Sequence, residues 1–199
     1  MIFFRNIFKK RTKKIIPTLL FSGIGVSEIN EKDIWVYNYP FEPSFAYPEK
    51  RISAKDIVSI CIAFGTARVI LKEDIIFIAA EKKDDLKTFA HKNNIPLSAY
   101  SWNWDWILEP YLDTELTEEY QQQVQVLLLE NGFSLNEVQM IRKEVGKQMY
   151  RYNFSTMLWE WCSLSLPDVL SAMNALYTKE KFREFYKKAL EIEKRNNTL

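Results

Sequence analysis

The sequence predicts an α+β protein: a small antiparallel sheet with one closing helix, followed by a compact helical bundle. Three observations predict it. Runs rich in β-branched and aromatic residues are confined to residues 18–97. From residue 100 onward the apolar residues recur at helical spacing instead. Short turn-forming stretches separate the segments and leave no room for long linkers. With 199 residues, 47% hydrophobic and 27% charged, the chain has enough apolar material to bury a core and lacks the composition of a disordered segment. The expected organisation is a basic amphipathic leader at 1–16, a β-rich domain at 17–97 and a helical domain at 98–199.

Elements follow in order. "DIWVYNY" (33–39) is made of strand formers, and "PFEPSFAYP" after it, with three prolines, must be a loop or an edge. "AKDIVSICIAF" (54–64) alternates, with Val58, Ile60, Ile62 and Phe64 on one face and Ser59, Cys61 and Ala63 on the other. "ARVIL" and "IIFIAA" flank "KED" at hairpin spacing, which reads as a charged turn. "DDLKTFAHKNN" (84–94) predicts a helix with Asp84 and Asp85 at its positive end and Leu86, Phe89 and Ala90 as its apolar stripe.

The helical part opens at "TEEYQQQVQVLLLEN" (117–131), capped by Thr117, with Tyr120, Val124, Leu127 and Leu128 expected on one face. Asn131-Gly132 ends it, and Ser134-x-x-Glu137 is a capping box for the next helix. That helix carries Val138, Ile141, Val145, Met149 and Tyr152 on one stripe. "FSTMLWEWCSLS" (154–165) reads as a buried helix. Ser165, Pro167 and Asp168 start another, and Thr178 caps the last, whose stripe runs Phe182, Phe185, Tyr186, Ala189 and then Ile192 or Glu193. Glu184 with Lys188, and Glu191 with Arg195, are spaced as helix-surface pairs.

Composition excludes several chemistries. Only 5 glycines are present, and neither G-x-G-x-x-G nor G-x-x-x-x-G-K-[ST] occurs. Cys61 and Cys162 are far apart in apolar contexts, so buried thiols in a reducing cytoplasm are expected rather than a zinc or redox site. His91 is the single histidine and reads as a residue of a helix C-terminus. No cofactor and no metal is expected. Residues 1–14 hold Arg5, Lys9, Lys10, Arg11, Lys13 and Lys14 and no acid, and the remaining 21 basic residues face all 26 acidic ones, a net of −5. An acidic body argues against broad nucleic-acid binding. In the leader, Phe3, Phe4, Ile7 and Phe8 fall at helical spacing among the bases. Pro17 and the lack of a cleavage site speak against a signal peptide, and the apolar run is too short to span a bilayer. An anchor on an anionic membrane surface and a terminus that packs on the body are the readings that stand.

"RISAKDIVSICIAFGTARVILKEDIIFIAAEKKDDLKTFAHKNN", residues 51 to 94, runs strand, Asp-Ile, strand, hairpin and capping helix. In this order it resembles a small bacterial pleckstrin-homology-like domain. The resemblance covers less than half the chain and implies a binding or scaffold module with no active site in the β part.

Three candidate sites compete. "WNWDW" places Trp102, Trp104 and Trp106 around Asn103 and Asp105. As a strand the indoles would share one face, a stacking platform; as a helix Trp102 and Trp106 share a face with Trp104 pointing elsewhere, and Trp106 and its neighbours are expected to wedge into the junction between the two halves. "WEWC" places Glu160 between Trp159 and Trp161, so the five indoles together form the candidate ligand or partner surface. Asp105 and Glu160, each between two rings, are the candidate acids of a small hydrolase, since burial among rings raises a carboxyl pKa. Finally, the helix–"NGFS"–helix stretch (117–152) permits a helix-turn-helix reading with Asn136, Gln139, Arg142 and Lys143 as groove contacts. The expectation that the composition favours is a non-catalytic interaction or scaffold module, with an unidentified protein partner and the membrane surface as its contacts.

Overall fold

The computed structural model describes residues 23–112, 117–155 and 163–195. It is α+β, but the strands form two three-stranded antiparallel sheets rather than one. The first contains β1 (Val26–Ile29), β2 (Asp33–Tyr37) and β3 (Lys50–Ser53), with β2 central. Ile34 and Val36 point inward while Trp35 is exposed, the period-two pattern of a half-buried strand. The proline-rich connection between β2 and β3 is a loop as expected, yet Tyr39 and Phe41 within it are buried. Their rings meet edge to face, and Phe41 lies against Phe77, Phe182 and Tyr186.

The second sheet contains β4 (Ile57–Cys61), β5 (Ala67–Leu71) and β6 (Ile75–Ile78) in sequential order. The expected hairpin is present, with Ile70 opposite Ile75. The expected alternation in 54–64 is not. A register shift between Ile57 and Ser59 turns Val58 outward and leaves Ser59, Ile60 and Cys61 all buried. The extra residue of such a bulge breaks the period, and both faces of the strand are then covered. The outer edge of β4 is partly closed by the segment after the first helix. The Ile60 N–H donates to Pro96 O at 3.0 Å, and the Ser98 N–H donates to Ile60 O at 3.0 Å.

Helix α1 (Lys83–Lys92) follows β6, with Leu86, Phe89 and Ala90 buried and His91 exposed in its last turn, as the sequence predicts. The remaining helices are α2 (Asn103–Leu108), α3 (Glu118–Glu130), α4 (Leu135–Ser155), α5 (Leu166–Asn174) and α6 (Lys179–Lys194). Their caps follow the sequence signals. Thr117 accepts from the Tyr120 N–H and Thr178 from the Lys181 N–H. Ser134 Oγ accepts from the Glu137 N–H, and Asp168 accepts from the Ser165 N–H and hydroxyl. The whole stripe Val138, Ile141, Val145, Met149, Tyr152 is buried, as are both Ile192 and Glu193.

Two expectations about helix surfaces fail. On α3 only Val124 and Leu128 are buried, whereas Tyr120 and Leu127 are exposed. The helix makes a narrow contact, so its apolar content exceeds what the core accepts. The surface pairs within α6 give way to bridges between helices: Lys188 to Glu144 at 2.7 Å, and Arg195 to both oxygens of Glu137 at 2.8 Å. A bidentate guanidinium–carboxylate pair offers better geometry than an i,i+4 contact. One contiguous apolar core runs from Ile34 through Phe77 and Val145 to Ile192, so sheets and helices bury their faces together. Among the described residues no helix is long and apolar enough to cross a membrane.

Candidate functional site

The stretch "WNWDW" folds as α2, which settles the choice between strand and helix. Trp102 precedes the helix and remains 40% exposed. Trp104 is fully buried, and its indole N–H donates to Ala189 O at 2.9 Å. The deepest indole of the junction is therefore Trp104, which was expected to point elsewhere; Trp106 is partly buried against the core, and its neighbours Ile107 and Leu108 are fully buried. The physical reason lies in the neighbours of the helix. Asn103 Nδ2 donates to the carbonyls of Ile192 and Arg195, at 2.9 and 3.0 Å, and so satisfies the open end of α6. That contact turns the 103–104 side of α2 toward α6. At the other end, Arg142 Nε and Nη2 each donate at 3.0 Å to the carbonyls of Ile107 and Trp106. A six-residue helix is thus clamped at both ends by side chains.

The three indoles consequently do not form a shared platform. Trp102 instead joins Phe64 and Tyr100 in a partly exposed aromatic cluster, with ring centroids 4.7 to 5.4 Å apart. Trp159, Trp161 and Glu160 lie outside the described residues, as does the leader with Arg5, Lys9, Lys10, Arg11, Lys13 and Lys14. The Asp105–Glu160 pairing of the hydrolase reading therefore has no geometry to support it.

Beneath the aromatic cluster lies the most unusual chemistry of the fold. Arg68 projects from β5 and is buried. Its guanidinium stacks on the Tyr100 ring, 4.0 Å from the centroid, and pairs with the carboxylate of Glu193 from α6. The Tyr100 hydroxyl donates to the Asp105 carboxyl, 3.0 and 3.2 Å from its two oxygens. Two acids thus share the neighbourhood of one cation. Burial pushes the Asp105 carboxyl up to about 7, against the opposing effects of Tyr100 and Arg68. Burial likewise pushes Glu193 up to about 7, with Arg68 opposing and Asp105 adding to the rise. Sequence reasoning singled out Asp105 but missed Arg68, and met Glu193 only as an alternative to Ile192. A polar residue on the apolar stripe of each element was the available signal: Arg68 within "ARVIL" and Glu193 one turn after Ala189.

Beside the ion pair a pocket of about 270 Å³ opens. Val58, Cys61, Ile70, Leu71 and Ile75 give it apolar walls, and Arg68, Ser101, Glu193, Lys72 and Lys194 give it a polar end and rim. Asp105 does not line it. Among the described residues no three metal-ligating side chains converge.

A second surface is carried by the α3–α4 hairpin. Val126, Leu129, Leu135 and Met140 are 52%, 49%, 48% and 63% exposed, and a small pocket of about 80 Å³ lies between the helices, with Leu129 and Leu135 in its lining. Of the four side chains offered for DNA contact, Asn136, Gln139 and Lys143 are exposed, while Arg142 is spent on the α2 carbonyls. Comparison of the chain with protein-family models, with curated proteins and with solved structures gives no match.

Proposed function

We propose that this protein is a non-catalytic interaction module that binds another protein through the exposed apolar side of the α3–α4 hairpin. The observation that carries the reading is the set of four large apolar side chains, Val126, Leu129, Leu135 and Met140, each about half or more exposed on one hairpin. Scattered exposed apolar residues need no explanation, but several on one hairpin mark an interaction surface. The charge of α3 narrows the partner. Glu118, Glu119 and Glu130 lie on it with no basic residue, so it fits an apolar segment flanked by lysine or arginine. The pleckstrin-homology-like resemblance of residues 51–94, the stretch that holds β4, β5, β6 and α1, is read in the same way, as a scaffold. A buried Cys61 thiol supports a reducing compartment.

The test is a photo-reactive side chain introduced at Leu129, with Lys55 on the β half as control. The expected result is a discrete cross-link from position 129 to a second protein, at an apolar segment with basic flanks, abolished by Leu135→Glu. Equal yields from both positions, or cross-linking only to another copy of this chain, would overturn the proposal.

The six basic residues among Phe3, Phe4, Ile7 and Phe8 favour a second contact, with an anionic membrane surface. Each base near such a surface contributes about 1 kcal/mol. Deleting residues 1–14 is expected to abolish sedimentation with phosphatidylserine vesicles and leave the Leu129 cross-link intact. Unchanged sedimentation removes the membrane contact.

A further inference from the structure

We infer that the pocket between β4, β5 and the end of α6 is a binding site for a small amphipathic carboxylic acid. Its walls and its charges decide the ligand class. Val58, Ile70, Leu71 and Ile75 form an apolar lining, which selects a hydrocarbon or aromatic body. The volume of about 270 Å³ exceeds that of a cavity known to admit benzene, and at about 30 Å³ per water-sized group it accommodates about nine non-hydrogen atoms.

The polar end selects the head group. Three cations, Arg68, Lys72 and Lys194, line the pocket against one acid, Glu193, so its lining is electropositive. Lys194 Nζ is held at the rim by the carbonyls of Leu71 and Lys72, at 3.4 and 3.0 Å. Among the described residues it forms no ion pair; its partial burial disfavours its charge, with the more distant Asp74 and Glu73 carboxylates opposing. Arg68 is more than nine-tenths buried, and among the described residues its Nε–H has no acceptor. A buried donor left without an acceptor is costly in a finished fold. A carboxylate seated at this end gives Lys194 a counter-ion and supplies acceptors beside the guanidinium, while its tail displaces water from the apolar walls.

The test is calorimetric titration of the full chain with hexanoate, hexanol and hexylamine, which share a tail and differ in head group. Hexanoate is expected to bind at least tenfold more tightly than hexanol, and hexylamine not at all. Ala99, an exposed residue on the lining, gives a variant that closes the mouth without disturbing the core: Ala99→Phe should abolish hexanoate binding at unchanged melting temperature. Lys194→Met should reduce the preference for hexanoate over hexanol to less than threefold. Equal affinity for hexanoate and hexanol, preference for hexylamine, no binding of hexanoate, or hexanoate binding unaffected by Ala99→Phe each overturns the inference. None of these outcomes bears on the α3–α4 surface, which uses different residues.

Discussion

At the scale of single residues, the six-residue helix α2 shows how far identical side chains diverge by position. Trp104 fills the core with its N–H satisfied, whereas Trp102, two residues earlier, covers only other rings at the surface. Trp104→Ala should therefore destabilise the fold by about 3–5 kcal/mol, the range for truncating a large buried ring. Trp102→Ala should cost less than about 1 kcal/mol. Urea denaturation of both variants checks the contrast. Asp105 and Glu193 make a second prediction at this scale. Their carboxyls rise from reference values of 3.8 and 4.5 to about 7 in the fold. Between those limits the folded chain holds protons that the unfolded chain has released, so their contribution falls as pH rises through the window and is lost above it. Asp105→Asn should flatten this slope: the stability of the variant relative to the parent should improve from pH 5 to pH 8, measured by denaturant midpoints. A constant difference across that range would show that Asp105 is ionised throughout. Asp105 was legible in the sequence as a candidate acid, but the ion pair beside it was not. Arg68 and Glu193 are 125 positions apart, and no local pattern links them.

At the scale of elements, legibility tracked whether an element's partners were local. Helix caps and the α4 stripe depend on residues within one or a few turns, and they matched. The "KED" turn is present as expected, but what its last acid does was hidden: Asp74 accepts from Ser44 Oγ, the Phe45 N–H, the Ile75 N–H and the Tyr186 hydroxyl, at 2.6 to 2.9 Å. This carboxylate docks α6 and the proline-rich loop onto the second sheet, through partners that only the tertiary fold supplies. The bulge in β4 was equally hidden, because it shifts register without changing composition. Gly146 is a further case of an element fixed by its neighbour. It lies inside α4, where alanine would ordinarily be favoured by up to about 1 kcal/mol. An added Cβ would sit 2.7 Å from the Tyr111 hydroxyl and 3.1 Å from its ring. That hydroxyl is itself bonded to Arg142 O at 2.6 Å, so the ring has little room to retreat. Gly146→Ala should therefore destabilise by about 1–3 kcal/mol despite its helix propensity, as overpacking does. A raised melting temperature would show that Tyr111 moves freely.

At the scale of the whole molecule, the sequence made the α+β class legible because the hydrophobic period changes from two to 3.6 near residue 100. The division into two sheets was not legible, since short strands such as Val26–Ile29 carry too few residues for a pattern. Neither was the pocket, whose walls come from β4, β5 and β6 and whose rim comes from α6. The α3–α4 surface was half legible: both helices were visible in the sequence, but Val126, Leu129, Leu135 and Met140 belonged to no expected stripe, and only the packing shows that they stay exposed.

The pairing of Arg68 with Glu193 also orders events in time. A ribosome delivers the strand bearing the guanidinium 125 residues before the carboxylate of α6, so the nascent chain carries an unmatched cation in an otherwise oily strand until α6 has emerged. A chain ending at residue 178 should remain protease-sensitive, whereas the chain through residue 199 should resist digestion.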